Sequence, residues 1–388
     1  MRTTGFICEF NPLHDGHRFF IENARKTTGA DRLIALMSGD WVQRGEPAVL
    51  PMHERARAAL EAGADLILQL PDAFACASAQ YFAGGGVRLL DALGCVDSLS
   101  FGAECGDSAL LETLSAFLYG RDSDIQPLIR QHVSGGMTYA QARSQAVTEV
   151  LAGSDGCSDL PAADLTRIEA LLKKPNNQLA LAYMQALLET GSLIRPCPVR
   201  RDPAFESSSE IRRRIMSGDP SCQKYLCADD FSLVLKDRLL RLSAPELTAF
   251  SDVTPDLANR IKNRQNEFVS WSQFTDLLHT KEMTRARISR CLCHIILGIR
   301  KDDPLLDVRR DAPRGAESFT RPDFIRILGF KKDAGPLLAR LKECSAIPLV
   351  TNIPSDVSDY PGDLYRSVLT EKYSVPFTES HTIPVVVI

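Results

Sequence analysis

Two histidines near the start of the chain, His14 and His17, have a spacing suited to holding a phosphate group. The apolar run at residues 6–8 predicts a buried strand, and the Asn-Pro pair at residues 11–12 predicts a turn after it. From His14 onward apolar side chains recur every three to four positions, which predicts a helix. Both histidines then lie at its start, where free backbone N–H groups and the helix dipole attract anions. Gly16 has no side chain and so leaves room for a ligand near the backbone. The simpler alternative is that the two histidines only cap the helix.

A second predicted helix start combines hydroxyl groups with positive charge. The residues that share it are Ser207, Ser208, Ser209 and Arg212. Hydroxyls and backbone N–H groups at a helix start bind phosphate, and an arginine adds charge. Ser207 with Glu210 also has the pattern of an ordinary capping box. We favour phosphate binding because this is the second such helix start in one chain.

The polar, glycine-bounded segment 38–47 is predicted to be a functional loop. It follows the apolar run 33–37, a second predicted strand, and loops at the carboxyl ends of strands often bind ligands. Trp41 within it is expected to be exposed. From position and chemistry alone, the side chains expected to face a substrate are Gln43, Arg44 and Glu46.

Two adjacent asparagines, Asn176 and Asn177, precede a helix predicted from residue 179. One amide is enough to cap a helix N-terminus. The other would then be free to contact a base or a ribose.

The elements that must position these residues alternate between strand and helix. Further strands are predicted at 64–71 and 98–101, and helices at 53–62 and 77–93, the last interrupted by the glycines at 84–86. This alternation predicts an α/β fold with a Rossmann-like, doubly wound parallel sheet. In such sheets ligands lie beyond the carboxyl ends of the strands, where the loops described above would meet.

Two or three domains are expected from a chain of 388 residues, and the pattern divides it into two. Residues 1–220 form the predicted nucleotide-binding domain, with a helical insertion at about 106–172. Alternation of strands and helices stops at about residue 231, so residues 221–388 are predicted to form a mainly helical domain. Arginines on its predicted helix 284–298 are either a solvated face or a footprint for nucleic-acid phosphates, namely Arg285, Arg287 and Arg290.

Composition sets outer limits on function. A net charge of -4 gives no global signal for nucleic acid, so any RNA site must be a local patch. We expect no membrane span and no secretory signal, and with scattered cysteines this favours the cytoplasm. Cys291, Cys293 and His294 lie in an apolar helical run without a second pair, so we interpret them as packing residues and expect no structural metal site.

Together these segments resemble the tRNA(Met) cytidine acetate ligase family, within the nucleotidyltransferase superfamily that carries the His-x-Gly-His motif. The resemblance spans nearly the whole chain, at residues 5–17, 37–47, 65–71, 101–104, 176–177, 207–212, 284–298 and 326–330. The loop Ser-Gly-x-aromatic-x-Gln-Arg-Gly-Glu-Pro is specific to it. The chain departs from the family pattern at Ala103, Ser208, Ser209, Pro51 and Met52.

The resemblance implies an ATP-dependent ligase with the HxGH nucleotidyltransferase fold. It would form acetyl-adenylate from acetate and ATP, with Mg²⁺ on the phosphates, and acetylate the wobble cytidine of elongator tRNA(Met). His14, His17 and Arg212 would stabilise the departing pyrophosphate. The resemblance leaves open which asparagine of the pair and which arginine of the pair would contact ATP. The residues assigned to ATP are therefore Ile7, Cys8, Glu9, Phe10, Asn11, Pro12, Leu13, His14, Asp15, Gly16, His17, Phe20, Gly102, Asn176, Asn177, Arg200, Arg201, Ser207 and Ser208.

Two other functions fit parts of the pattern. The first-domain motifs alone fit a small-molecule adenylyltransferase, although a small substrate would not need an arginine-bearing helical domain. A non-catalytic RNA-binding module would keep the fold, although the intact histidines and serines argue against it. No residue pattern indicates the acetate pocket, the tRNA contacts that select one acceptor, or whether the protein dimerises.

Overall fold

The structure, a computed structural model, describes residues 1–137, 139–153, 165–219, 224–306, 320–354 and 356–388. Its centre is an eight-stranded sheet, and a separate two-stranded hairpin is formed by the third and fourth strands. In chain order the strands are β1 (Thr3–Cys8), β2 (Arg32–Ser38), β3 (Trp41–Val42), β4 (Glu46–Pro47), β5 (Leu66–Leu70), β6 (Ser98–Ala103), β7 (Arg195–Arg200), β8 (Ile325–Phe330), β9 (Leu349–Val350) and β10 (Val386–Val387).

The order of the strands defines the nucleotide-binding class of α/β fold. Across the sheet it is β10-β8-β5-β2-β1-β6-β7, with β9 also paired to β8. Strands β5, β2, β1, β6 and β7 run parallel. Their order is that of a Rossmann sheet, and the chain changes direction across the sheet between β1 and β6. The predicted doubly wound sheet is confirmed, and its switch point lies where β1 leads to the two histidines.

The helices cover both faces of the sheet and build a further layer. In chain order they are α1 (Asp15–Thr28), α2 (Met52–Glu61), α3 (Asp72–Ala75), α4 (Ala79–Ala92), α5 (Ser108–Gly120), α6 (Asp122–Ser134), α7 (Tyr139–Gly153), α8 (Leu165–Leu172), α9 (Pro175–Thr190), α10 (Ser208–Met216), α11 (Ser232–Arg241), α12 (Ala244–Leu247), α13 (Pro255–Arg264), α14 (Trp271–Leu278), α15 (Arg285–Leu297), α16 (Gly335–Cys344) and α17 (Tyr360–Tyr373). The predicted helical insertion corresponds to α5 to α8, and residues 138 and 154–164 within it lie outside the described residues.

Helix α4 is continuous, so the predicted interruption at its glycines is wrong. A Cβ atom on Gly85 would lie 2.3 Å from Cγ of Phe74, and one on Gly86 would lie 2.4 Å from Cδ1 of Ile7. The glycines therefore let the helix approach α3 and the sheet closely, and tertiary packing outweighs their low helix propensity.

The prediction that strands end at about residue 231 is also wrong. Strand β8 pairs antiparallel with β5, and β10 pairs parallel with β8. The signal was missed because the pairing partner of β8 is remote in sequence. The division into domains at residue 220 stays a prediction, since one sheet contains strands from both parts of the chain.

Apolar side chains form three clusters of buried residues. Two of them lie on the sheet and its covering helices. The third is built mainly by helices α11 to α15, yet it also contains Trp41 from the hairpin. Trp41 is fully buried, which corrects the expected exposure, and its indole N–H donates to the carbonyl of Pro361 (3.0 Å). Among the described residues no helix has the length and apolar character to cross a membrane.

Candidate active site

The loop from β1 to α1 places both histidines at the start of α1, as predicted. Nδ1 of His14 accepts the N–H of Gly16 (3.1 Å), and Nδ1 of His17 accepts the N–H of His14 (3.3 Å). The histidines thus form a reciprocal cap of the helix. Because both Nδ1 atoms accept hydrogen bonds, each neutral ring carries its proton on Nε2. Capping and phosphate binding are therefore compatible, since the cap leaves two Nε2–H groups as donors.

The electrostatic surroundings keep these rings neutral. Burial lowers the pKa of His17 to about 3, and the neighbouring His14 and Arg201 act in the same direction because they disfavour a second positive charge. Burial and Arg201 also lower the pKa of His14, against the opposing effect of Asp15 and Glu206. The rings lie with centroids 3.7 Å apart. An anion placed beside them would meet neutral N–H donors and a nearby arginine.

Helix α10 brings the serine cluster to the same place. Nε2 of His14 lies 3.0 Å from Oγ of Ser208. Ser207 is the N-cap, and its hydroxyl and Glu210 form the capping box that the sequence indicated. The capping interpretation is thus confirmed for Ser207, whereas Ser208 faces the histidine and stays a predicted phosphate-binding residue.

Arg212 ties the two helix starts together. Its Nη1 donates to the carbonyl of Asn11 (2.7 Å), and its Nη2 donates to Oγ of Ser209 (3.1 Å). Burial lowers the pKa of Arg212 and the nearby Arg44 lowers it further, while Glu9 and Glu46 oppose both. Ser209 belongs to the serine run that was predicted to bind phosphate, and in the structure its hydroxyl is the partner of Arg212.

The structure separates the two adjacent arginines after β7. The charge of Arg201 acts on both histidines, and its side chain lies over Gly102, whose added Cβ would be 3.5 Å from Cγ of Arg201. Arg200 instead lies beside Gly106. Both arginines are exposed. Arg201 is therefore the one on the side of the histidines.

The asparagine pair belongs to the first turn of α9, which begins at Pro175 rather than at residue 179. The carboxylate of Glu104 accepts the N–H of Asn177 (2.9 Å) and the side-chain amide of Asn176 (2.7 Å). Asn177 is buried, donates to the carbonyl of Leu171 and accepts from the N–H of Cys105. The cap is thus Glu104, which sequence reasoning missed because its partners lie far along the chain.

The predicted substrate loop is the tip of the β3–β4 hairpin. The N–H of Gln43 donates to Oε1 of Glu9 (2.6 Å), which ties the hairpin to the end of β1. On its other side, Oγ of Ser289 in α15 donates to the carbonyl of Gly45 (2.8 Å). Arg44 is exposed, whereas Gln43 and Glu46 are partly buried. The loop therefore lies between the histidine loop and α15.

A buried arginine beneath the site had no signal in the sequence. Arg55 of α2 donates to the carbonyls of Glu9 (2.6 Å), Ser38 (3.3 Å), Leu50 (3.0 Å) and Gly39. One guanidinium thereby fixes the ends of both β1 and β2. Its helical spacing among alanines made it look like any amphipathic position.

The other predicted ATP residues divide between packing and the loop. Ile7 packs against Gly86, and the ring of Phe20 lies edge-on to Phe6 at 5.5 Å. The ring of Phe10 packs on His17 at 5.0 Å. The remaining predicted ATP residues lie between the end of β1 and the first turn of α1, and they are Cys8, Pro12, Leu13, Asp15 and Gly16.

The arginines proposed for RNA lie at the start of α15. Arg285 forms an ion pair with Asp276 (2.9 Å), and Arg290, which is mostly buried, approaches Asp252 (3.9 Å). Arg287 is partly exposed. Further along the same helix, both ring nitrogens of His294 lie 2.9 Å from backbone carbonyls, and Cys291 and Cys293 are buried.

Fold and site together define a nucleotidyltransferase. The family model described as HIGH Nucleotidyl Transferase matches residues 1–220 and 219–381, and the chain belongs to this family. Within it, the chain is a member of the family of tRNA(Met) cytidine acetate ligases: it is 31% identical to the protein of that name from Thermoanaerobacter sp., over 96% of this chain and 93% of the relative.

Further similarities support the same assignment. The chain is 29% identical to the tRNA(Met) cytidine acetate ligase of Acetivibrio thermocellus, over 96% of this chain and 93% of the relative. Thermotoga maritima TmcAL bound with alpha-thio ATP is 25% identical, with a TM-score of 0.78 over 97% of this chain and 90% of that one. The apo form of the same protein, at 23% identity, has the same fold with a TM-score of 0.82 over both whole chains.

Proposed function

We propose that the protein is an ATP-dependent acetate ligase that forms acetyl-adenylate and transfers its acetyl group to N4 of the wobble cytidine of elongator tRNA(Met). The observation that carries this is the meeting of His14 with Ser208 at the switch point of the sheet, next to Arg201. The names of its relatives support the choice of acceptor.

In the first step an oxygen of acetate attacks the α-phosphorus of ATP, and pyrophosphate leaves. The transition state of phosphoryl transfer needs positioning and charge stabilisation rather than covalent help. The Nε2–H groups of His14 and His17 and the hydroxyl of Ser208 would donate hydrogen bonds to the pyrophosphate. The positive charge of Arg201 would attract it. The starts of α1 and α10 add their backbone N–H groups.

The adenosine would lie toward Gly102 and the start of α9. Asn176 is partly exposed there, with its amide N–H on Glu104, whereas Asn177 is buried with its amide oxygen and its amide nitrogen both bonded. Asn176 is therefore our choice for the base or ribose contact, and Asn177 for holding the β6 loop. Mg²⁺ would be held through the phosphates of ATP and water. In the described part of the chain no group of three acidic, histidine or cysteine side chains could bind a metal.

In the second step the amine of cytidine attacks the acetyl carbonyl and AMP leaves. The hairpin residues Gln43, Arg44 and Glu46 would face this acceptor. On α15, Arg285 and Arg287 would guide the tRNA backbone, with Arg287 binding first because Arg285 is paired with Asp276. Arg290 could contribute only its charge, because it is mostly buried beside Asp252. An anticodon base is already single-stranded, so presenting it costs little unstacking.

The test incubates the protein with ATP, labelled acetate and a panel of tRNAs, followed by nucleoside analysis. We expect acetylcytidine in elongator tRNA(Met), lost in His17→Ala and kept in His381→Ala, a histidine outside the site. Arg201→Gln should raise the KM for ATP roughly tenfold or more, and Arg200→Gln much less. AMP formation without a modified nucleoside would indicate a small-molecule acceptor, and no ATP turnover would indicate a binding module.

A further inference from the structure

The hairpin that carries Glu46 is fixed on both sides through its backbone. Gln43 is bonded to Glu9, and the carbonyl of Gly45 accepts from Ser289. Gly45 has a φ of 72°, and a Cβ there would lie 2.3 Å from Cα of Arg290. Val42 and Glu46 are paired across the two antiparallel strands, next to the tip of the hairpin. The position of Glu46 therefore does not depend on any bond of its own side chain.

Charged groups surround the carboxylate of Glu46, but none of the residues that the structure describes donates a hydrogen bond to it. The side chain is nevertheless partly buried. Arg212 and Arg44 attract it, and Glu9 and Asp229 repel it. Burial raises the pKa of Glu46 in spite of these arginines. A partly buried acceptor without a donor is costly unless a ligand supplies one.

Glu9 is the other carboxylate at this end of the site, and it is already engaged. Its Oε1 accepts the N–H of Gln43 at 2.6 Å. Arg212, which bonds the histidine loop and Ser209, is the strongest charge acting on Glu46. Of these two carboxylates, Glu46 is the one to which no described residue donates, and it lies within the electrostatic reach of Arg212.

The proposed acceptor base supplies the donor that Glu46 lacks. On its pairing edge cytosine presents an exocyclic amine, and a carboxylate is the side-chain group that accepts from it. Uracil presents a carbonyl oxygen at the same position, which a carboxylate repels.

We propose, on the basis of the ligase function above, that Glu46 accepts a hydrogen bond from the exocyclic amine of the wobble cytidine and takes its proton. As the amine nitrogen bonds to the acetyl carbon, the bond between that carbon and the phosphate oxygen breaks. The electron pair leaves with AMP, and the amine proton passes to the Glu46 carboxylate. Glu46 then returns the proton to solvent.

The two half-reactions separate this role from the rest of the function. Acetate-dependent exchange of pyrophosphate with ATP reports the first step, and synthetic acetyl-adenylate with transcribed elongator tRNA(Met) reports the second. We expect Glu46→Gln to keep exchange and slow transfer roughly 100-fold or more. Glu61→Gln, an exposed position on α2, is the matched control and should change neither.

Two further readouts would not respond to a merely structural role. Wild-type transfer should rise with pH as Glu46 deprotonates and then level off, and Glu46→Gln should lack that rise. Wild type should bind the tRNA better than a version with uridine at the wobble position, and Glu46→Gln should lose this preference.

The outcomes separate the two proposals. Transfer by Glu46→Gln at the wild-type rate, or equal loss of exchange and transfer, overturns the role of Glu46 and leaves the ligase standing. Absence of acetate-dependent exchange in the wild-type protein overturns the ligase itself.

Discussion

At the scale of single residues, the two histidines cap helix α1 and, in the proposed function, also bind phosphate. Each Nδ1 atom accepts a backbone N–H at the start of α1, which leaves each Nε2–H to donate. A substitution that removes the ring therefore removes a cap and a donor together, and the two effects need separate variants.

His14→Asn should separate them, because asparagine is a good N-cap but does not reach Ser208 as the imidazole does. We expect unchanged thermal stability and a loss of pyrophosphate exchange of roughly 100-fold. His14→Ala should lose the same activity and, in addition, about 1 kcal/mol of stability. Full exchange activity in His14→Asn would contradict a role in phosphate binding.

The lowered pKa of His17 predicts a dependence of stability on pH. Between pH 6.5 and about 3 the unfolded chain binds a proton that the folded site rejects, so the free energy of unfolding falls as the pH falls through this range. Urea unfolding at pH 7 and pH 5 should show that wild type loses roughly 1–2 kcal/mol more than His17→Gln. Equal losses in both proteins would show that the pKa of His17 is not depressed.

At the scale of elements, glycines let neighbouring helices, strands and the hairpin pack closely, and this packing fixes the position of the site. Helix α4 uses its glycines to lie against Phe74 and Ile7, and the hairpin uses Gly45 to lie against α15. The active-site hairpin and the arginine-bearing helix are therefore packed backbone against backbone.

Two neighbouring glycines of α4 test this packing. Gly85→Ala should destabilise the protein by roughly 1–3 kcal/mol, because its Cβ would overlap the ring of Phe74. Gly84→Ala should be neutral or stabilise by up to about 1 kcal/mol, because its Cβ would meet only the movable end of Arg88 at 3.3 Å. Urea unfolding measures both, and equal effects would refute the packing argument.

At the scale of the whole molecule, residues 1–220 and residues 221–388 each contribute to the core formed mainly by the other part. The second part gives β8 to the sheet, and the first part gives Trp41 to the helical cluster. The hydroxyl of Tyr365 in α17 also donates to the carbonyl of Ala48 (2.8 Å). Neither part completes its core alone.

This exchange predicts a single unfolding transition. Both tryptophans of the chain lie in the helical cluster, with ring centroids 6.5 Å apart, so fluorescence reports that cluster. Far-ultraviolet circular dichroism reports the helices of both parts. The two signals should change at the same urea concentration. An earlier fluorescence transition would mean that the helical part unfolds independently.

Local pattern was enough for much of the fold and for the placement of both histidines at the start of α1. Strand–helix alternation and the turn chemistry around His14 indicated the sheet and its ligand-binding edge. The predictions that failed concern residues whose contacts are with segments far along the chain. The cap on α9 comes from Glu104, Trp41 is buried by a cluster formed much later, and Arg55 binds carbonyls of three separate segments.

The antiparallel strand β8 has a consequence for how the protein is made. Strand β5 leaves the ribosome early, and its neighbour on the outer side, β8, is synthesised only after all of the helices up to α15. Until then the nascent sheet has an apolar strand with an unpaired hydrogen-bonding edge, which is the kind of edge that recruits other chains. Chains whose synthesis stops before β8 should therefore aggregate, and chaperones that cover strand edges should matter most for them.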